Sequence, residues 1–189
     1  ARVHTLPGFA SRAAPANNGF MANSDNQSVR VAIVGPTGYT GLHLLRLLAR
    51  HERAAVTYLA SHRDELPMIG EHFPQLVGLY DQKQLRCRPI DIDAIADAAD
   101  AAFLCLPHKA AMAYAGPLVD AGLRVIDLSA DYRLHEPELY EQVYHEPHTD
   151  PQHLAEAVYG LPELFRDHIP GAALVANPGC YPTAAALAL

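Results

Sequence analysis

Val29-Arg30-Val31-Ala32-Ile33-Val34-Gly35-Pro36-Thr37-Gly38-Tyr39-Thr40-Gly41 is the stretch that decides the fold. Its first six residues are a short β-branched run, as expected of a parallel strand buried on both faces. The glycines then turn the chain. Leu42, Leu45 and Leu48, with Leu44 and Leu47 beside them, make the apolar face of a helix, and Arg46, Arg50 and His51 take its solvent side and suit its C-terminal end. A strand, a glycine turn and a helix in that order bring backbone N–H groups and the helix dipole to a pyrophosphate. The spacing is GxxGxxG rather than GxGxxG. The choice therefore lies between a dinucleotide cradle of Gly35, Thr37, Gly38, Tyr39, Thr40 and Gly41 and a plain tight turn, and the flanking strand and helix favour the cradle.

Outward from this unit the same alternation continues. Strands are predicted over Ala54 to Ala60, Leu85 to Ile90, Ala101 to Leu106, Leu123 to Leu128 and Ala172 to Ala176. Helices are predicted over Ile92 to Ala99 and over Lys109 to Ala121, the second closed by Gly122, with two short ones around Glu138 to Tyr144 and Pro162 to His168. Ser61 to Gln84 is loop-like, broken by Pro67, Gly70, Pro74 and Gly78. Alternation of this kind implies an α/β fold, a doubly wound, mostly parallel Rossmann sheet over residues 29–176. From Tyr181 a helix begins that shows no stop signal.

Composition narrows the function. With 189 residues, half of them apolar, there is enough chain for one well-buried domain. A formal charge of -7 argues against nucleic acid or a membrane as partner, since either needs clustered Lys and Arg. No apolar run approaches the roughly 20 residues of a bilayer span. Three cysteines, Cys87, Cys105 and Cys180, are odd in number and sparse, which is the pattern of reduced thiols in a cytoplasmic protein. Residues 1–28 have no hydrophobic period and read as a disordered leader, either a weak organelle transit peptide or an upstream extension of a gene that starts at Met21. His145, Glu146, His148, Asp150 and His153 suggest a metal. Pro147 and Pro151 are expected to prevent a helical arrangement there, so a solvated loop with no metal is predicted.

Cys180 follows Asn177-Pro178-Gly179 and precedes the last helix. Its sulfur is thereby placed beside unpaired N–H groups and the positive end of a dipole, which is a nucleophile's position. The same N–H groups could hold an oxyanion, and Gly179 would let a substrate approach the backbone. The alternative is a third structural cysteine, the reading given to Cys87 and Cys105 in their strands. About 20 residues past the glycine turn, where NAD-binding proteins carry a carboxylate for the ribose, the chain reads Ser61-His62-Arg63. Ser61 and Arg63 suit a 2′-phosphate and hence NADP. The alternative is an ordinary loop, with Asp64 nearby.

Gly35-Pro36-Thr37-Gly38-Tyr39-Thr40-Gly41, Leu106-Pro107-His108, Asp127-Leu128-Ser129-Ala130-Asp131-Tyr132-Arg133, Tyr159-Gly160-Leu161-Pro162-Glu163 and Asn177-Pro178-Gly179-Cys180-Tyr181-Pro182-Thr183 together resemble, in order and spacing, the N-acetyl-gamma-glutamyl-phosphate reductases of the aspartate-semialdehyde dehydrogenase-like superfamily. The resemblance implies NADP-dependent reduction of an acyl phosphate through a thioester on Cys180, in arginine biosynthesis. It implies that Pro107 and His108 lie near the nicotinamide, with Ser129, Arg133, Asn177 and Gly179 as substrate contacts, although His108 could instead be a loop histidine bonded to backbone and Ser129 and Asp131 could cap a turn. It also implies that residues 177–189 start a second α/β substrate domain carrying the activating histidine, that this chain alone does not turn over, and that the full-length protein is a homo-oligomer. A lysine-pathway acyl-phosphate reductase and a non-catalytic NADP-binding remnant are the alternatives.

Overall fold

The computed structural model describes residues 28–62, 66–81 and 86–189. The leader up to residue 27, Arg63 and the first residue of the strand expected at Leu85 lie outside them.

The described strands are β1 (Val29–Val34), β2 (Ala54–Ala60), β3 (Ala101–Leu104), β4 (Arg124–Asp127), β5 (Val158–Tyr159) and β6 (Leu174–Ala176). They form one sheet in the order β2-β1-β3-β4-β6-β5. Every neighbouring pair is parallel, as the alternating pattern predicts. All strand C-termini therefore lie along one edge. The chain leaves β1 outward to β2 and returns on the other side of β1 as β3, so the direction of winding reverses between them, where ligands of open α/β sheets bind.

Helices α1 (Tyr39–Leu48), α2 (Ile69–His72), α3 (Ile92–Ala98), α4 (Met112–Asp120), α5 (Pro137–Tyr144), α6 (Pro151–Glu156), α7 (Pro162–Phe165) and α8 (Cys180–Ala188) connect or follow the strands. Alternation along β1 divides the core between two faces. Val31 and Ile33 pack with Leu42 and Leu45 of α1 and with Ile69 and Leu76, whereas Ala32 and Val34 pack with Ile95 of α3 and with Met112, Ala115 and Leu118 of α4. Both faces at β1 are thus dry. Burial of each large aliphatic side chain stabilises the fold by roughly 1.5–3 kcal/mol.

Four details differ from expectation. Among the described residues, the strand predicted to Ile90 is reduced to isolated bridges, Arg86 with Met68 and Arg88 with Ala60, because no continuous partner lies beyond β2. Helix α4 starts at Met112 rather than Lys109, since Lys109 has a φ of 71° and cannot continue a right-handed helix. Strand β5, of two residues, was too short to show a period, and it lies outside β6 although it precedes it in sequence. Pro151, expected to forbid a helix, opens α6 instead. It stands at the first helical position, where the missing N–H costs nothing, and the Asp150 carboxylate caps the helix by accepting the His153 N–H at 3.4 Å.

Candidate active site

The turn after β1 gives each of its three glycines a separate task. Gly35 has a φ of 81°, and a Cβ there would lie 2.7 Å from the Cys105 carbonyl oxygen and 2.9 Å from Leu106 Cδ2, so the turn abuts the exit of β3. A Cβ on Gly41 would lie 2.4 Å from the Pro36 carbonyl oxygen, so helix and turn touch backbone to backbone. Gly38 is the opposite case, because a Cβ there would meet none of the described residues within 4 Å. The open space stands at the start of α1, whose N-terminus has no side-chain cap and no acidic residue in its first turn. This fits a pyrophosphate resting on orphan N–H groups. Thr37 is half-buried, and Tyr39 and Thr40 are exposed around the opening. Ser61, at the end of β2, is buried and its N–H bonds the Arg88 carbonyl at 2.9 Å. Arg63, the other half of the 2′-phosphate reading, lies outside the described residues.

The exits of β3 and β4 are clasped together. Past β3 come Pro107 and His108, both exposed, and then Lys109 in its left-handed conformation. Lys109 N–H donates to Asp131 Oδ1 at 2.9 Å, and in return Ala130 N–H donates to His108 Nδ1 at 3.3 Å. Beneath, the loop after β4 is built on its own polar groups. Ser129 Oγ donates to Asp127 Oδ2 at 2.6 Å, Ser129 N–H donates to Asp127 Oδ1 at 3.0 Å, and Asp131 N–H donates to Ser129 Oγ at 3.0 Å. Ser129 is buried with its hydroxyl proton committed. It forms the turn, which is a different task from the substrate contact expected of it.

Arg133 joins this loop to the exit of β6. Its Nε donates to the Asn177 carbonyl at 2.8 Å and its Nη2 to the Leu128 carbonyl at 3.1 Å. Nη1 lies 3.1 Å from where a Cβ of Gly179 would stand, so any side chain at 179 would push the guanidinium. Asn177 N–H bonds the Asp127 carbonyl at 2.8 Å and its side-chain amide bonds the Pro178 carbonyl at 3.1 Å. Helix α8 then starts at Cys180, whose side chain is exposed. Thr183, which the sequence reading left without a role, donates its hydroxyl to the Gly179 carbonyl at 2.9 Å and so ties the first turn of α8 to its cap. A continuous series of direct contacts therefore runs from Gly35 through the β3 exit, His108, Ala130 and Arg133 to the turn that carries Cys180. In strand spacings, the β6 exit stands three places from β1, about 14 Å.

The family model for the semialdehyde dehydrogenase, NAD binding domain, matches residues 30–172. The chain belongs to that family. This semialdehyde dehydrogenase domain is 48% identical over 161 residues to the N-acetyl-gamma-glutamyl-phosphate reductase of Heliobacterium modesticaldum, in an alignment covering 85% of this chain and 45% of the relative. The reductase of the same name from Sulfurimonas denitrificans is 45% identical over 162 residues, covering 86% and 47%. The chain spans about half the length of these curated relatives. In structure it resembles aspartate semialdehyde dehydrogenase II of Vibrio cholerae, with a TM-score of 0.59 at 18% identity over 86% of this chain and 45% of that one. That likeness shows the shared fold.

Electrostatics separate the thiols and carboxylates of the semialdehyde dehydrogenase domain. Burial pushes the Cys87 thiol up to about 11, and burial followed by the nearby Asp127 pushes Cys105 up to about 12, so both stay protonated and inert. Asp127 is fully buried, and desolvation raises it to about 6 against the bonds from Ser129. Behind the loop a second network runs away from the site. His148 Nδ1 accepts the Asp150 N–H at 3.1 Å and its Nε2 donates to the Asp131 carbonyl at 2.9 Å, which fixes a neutral ring, and burial lowers its pKa. Tyr132 Oη donates to Asp150 Oδ2 at 2.7 Å. The cavity of about 310 Å³ lined by Val119, His153, Glu156, Val158, His168 and Leu174 stands at the opposite edge, where β5 and β6 begin, and touches none of the site residues. Among the described residues no group of three or more His, Cys, Asp and Glu could hold a metal, and no helix is long and apolar enough to cross a membrane.

Proposed function

We propose that this chain supplies the dinucleotide site and the nucleophile of an NADP-dependent N-acetyl-gamma-glutamyl-phosphate reductase. The observation that carries the reading is an exposed cysteine at the first position of a helix, on the same sheet edge as an uncapped glycine turn. The names of relatives at 45–48% identity supply the substrate.

In this reading the Cys180 thiolate attacks the acyl carbon, the C–O bond to phosphate breaks, and a thioester and free phosphate result. The nicotinamide, when bound, supplies the hydride that turns the thioester into the semialdehyde and returns the thiolate. The N–H groups that open α8 face the oxygen that becomes negative during both steps. Gly179 leaves that approach clear. Arg133, with two nitrogens on carbonyls, keeps Nη1 for an anionic oxygen of the substrate, and Asn177 is held beside it. Ser61 and Arg63 are proposed to read the 2′-phosphate, and Pro107 and His108 to lie against the nicotinamide. The paucity of cysteine supports a reducing, cytoplasmic setting, and the full-length enzyme is proposed to be a homo-oligomer.

Fluorescence titration with NADPH and alkylation of the thiols test the chain directly. It should bind NADPH, and Cys180 should alkylate well before Cys87 and Cys105. Reduction of NADP by N-acetylglutamate semialdehyde and phosphate should appear only in the full-length protein. Full activity in a full-length Cys180→Ser variant would end the reading.

A further inference from the structure

Asp131 is fully buried, yet its Oδ2 has no hydrogen-bond partner among the described residues. Its other groups are committed. Oδ1 accepts both the Lys109 N–H and the Tyr140 hydroxyl, each at 2.9 Å, and its carbonyl accepts His148 Nε2–H at 2.9 Å. A buried carboxylate with an unpaired oxygen is costly, and such groups persist where the contacts they make are used. What this one holds is the Lys109 amide, at a φ of 71°, a conformation that costs a non-glycine residue of order 1 kcal/mol. Among the described residues the one other side-chain tether of Lys109 is its Nζ on Glu146 at 2.7 Å, and that pair is solvent-exposed.

The consequence falls on the preceding residue. With Lys109 turned left-handed, the His108 ring comes back against the loop after β4, where Nδ1 accepts the Ala130 N–H. A nitrogen that accepts carries no proton, so the neutral ring bears its hydrogen on Nε2. We propose that Asp131 is a positioning residue: through the Lys109 amide it sets the rotation and tautomer of His108, so that an Nε2–H donor is presented at the β3 exit to an acceptor oxygen of the bound nicotinamide dinucleotide. The proposal rests on the reading of His108 given above. It adds to it a defined tautomer and the residue that enforces it.

Long-range nitrogen–proton NMR of the histidine rings at about pH 8, above the usual histidine range, with His108 assigned through His108→Gln, reads the tautomer without any cofactor. The expected result is a proton on Nε2 in the wild-type chain. A proton on Nδ1 overturns the proposal whatever the variants do. In Asp131→Ala the ring should become a mixture of tautomers and NADPH affinity should fall by about tenfold, the equivalent of one lost hydrogen bond. Asp131→Asn, which keeps an acceptor for the amide, should retain the tautomer and most of the affinity. Tyr140→Phe removes the other donor to Oδ1 and should leave the tautomer unchanged. The decisive rescue is Lys109→Gly in the Asp131→Ala background, because glycine adopts the left-handed turn unaided. It should restore the Nε2 tautomer and at least half of the lost affinity, which a general stabilising role of Asp131 would not allow. Persistence of the tautomer in Asp131→Ala, or failure of the glycine rescue, refutes the positioning role. If the wild-type chain does not bind NADPH at all, the dinucleotide reading fails, while the tautomer still decides what Asp131 does.

Discussion

At the exit of β1, Gly35 is left-handed, Gly41 touches the Pro36 backbone, and α1 buries Leu42 and Leu45 against the sheet. At the exit of β6, Gly179 has an ordinary φ of -68°, and no residue of α8 is buried. Both are strand–glycine–helix turns, but the first is held by backbone contacts, within itself and to the exits of β2 and β3, and the second also by a side chain from another loop. Arg133 reaches across from β4 to grip the Asn177 carbonyl. A cradle for a cofactor that many enzymes share can be a rigid local object. The proposed nucleophile, Cys180, is instead registered against its neighbours by Arg133, so its placement depends on the loop after β4.

Cys180→Ser gives the largest expected effect, since it removes the group that distinguishes the second turn chemically. Full-length enzyme activity should drop by roughly a thousandfold or more while NADPH binding is unchanged. Steady-state kinetics beside a fluorescence titration check both.

Within the first turn, Gly35→Ala should destabilise the chain by roughly 2–5 kcal/mol, from a strained backbone and an overlap with the Cys105 carbonyl. Gly38→Ala, with open space around it, should change stability by less than about 0.5 kcal/mol yet weaken NADPH binding. Urea denaturation and NADPH titration of the pair test whether the middle glycine serves a ligand. Equal stability losses would show that it serves the fold.

Asp127 lies beneath the second turn and makes it sensitive to pH. Its folded pKa of about 6 stands above the ordinary carboxylate value of 3.8. The folded state therefore binds the proton more tightly, and the group's contribution is fully present below about pH 4 and lost as pH rises through about 6. The loss amounts to roughly 3 kcal/mol. In Asp127→Asn the difference in stability between pH 4 and pH 7 should shift by about that amount relative to wild type, in denaturation curves at matched pH values. An unchanged slope would show that Asp127 keeps its charge when buried.

Arg133→Gln should cost the fold about 1–2 kcal/mol, for two hydrogen bonds to carbonyls. It should nonetheless change the alkylation rate of Cys180 while leaving NADPH affinity within about twofold. A change in NADPH affinity as large as that in alkylation would mean that the two turns are not independently built.

Much of this was legible in the residues. The run from Val29 to Gly41 displays a strand, a turn and a helical face within 13 positions, and Val31, Ile33 and Val34 of β1 are buried as their β-branched run predicts. Cys180 was legible as lying at a helix start, because Asn177-Pro178-Gly179 precede it and a helix was expected from Tyr181, one residue later than it begins. The strand β5 was not, since two residues carry no period. Helix α6 was hidden because Pro151 breaks a helix everywhere but in its first turn. Ser129 was legible as polar and near a strand end, but not as buried.

Local chemistry by itself therefore determined the parallel α/β class, the glycine cradle and the position of the thiol, because strand period, glycine spacing and capping act between near neighbours in the chain. Only the tertiary structure decided that Arg133 grips Asn177 from 44 residues away, that the Lys109 N–H meets Asp131 across 22, and that the carboxylates of Asp127 and Asp131 are wholly buried. Those facts depend on which strand ends are brought side by side. Burial and long-range hydrogen bonds are properties of that arrangement, and no segment carries them alone.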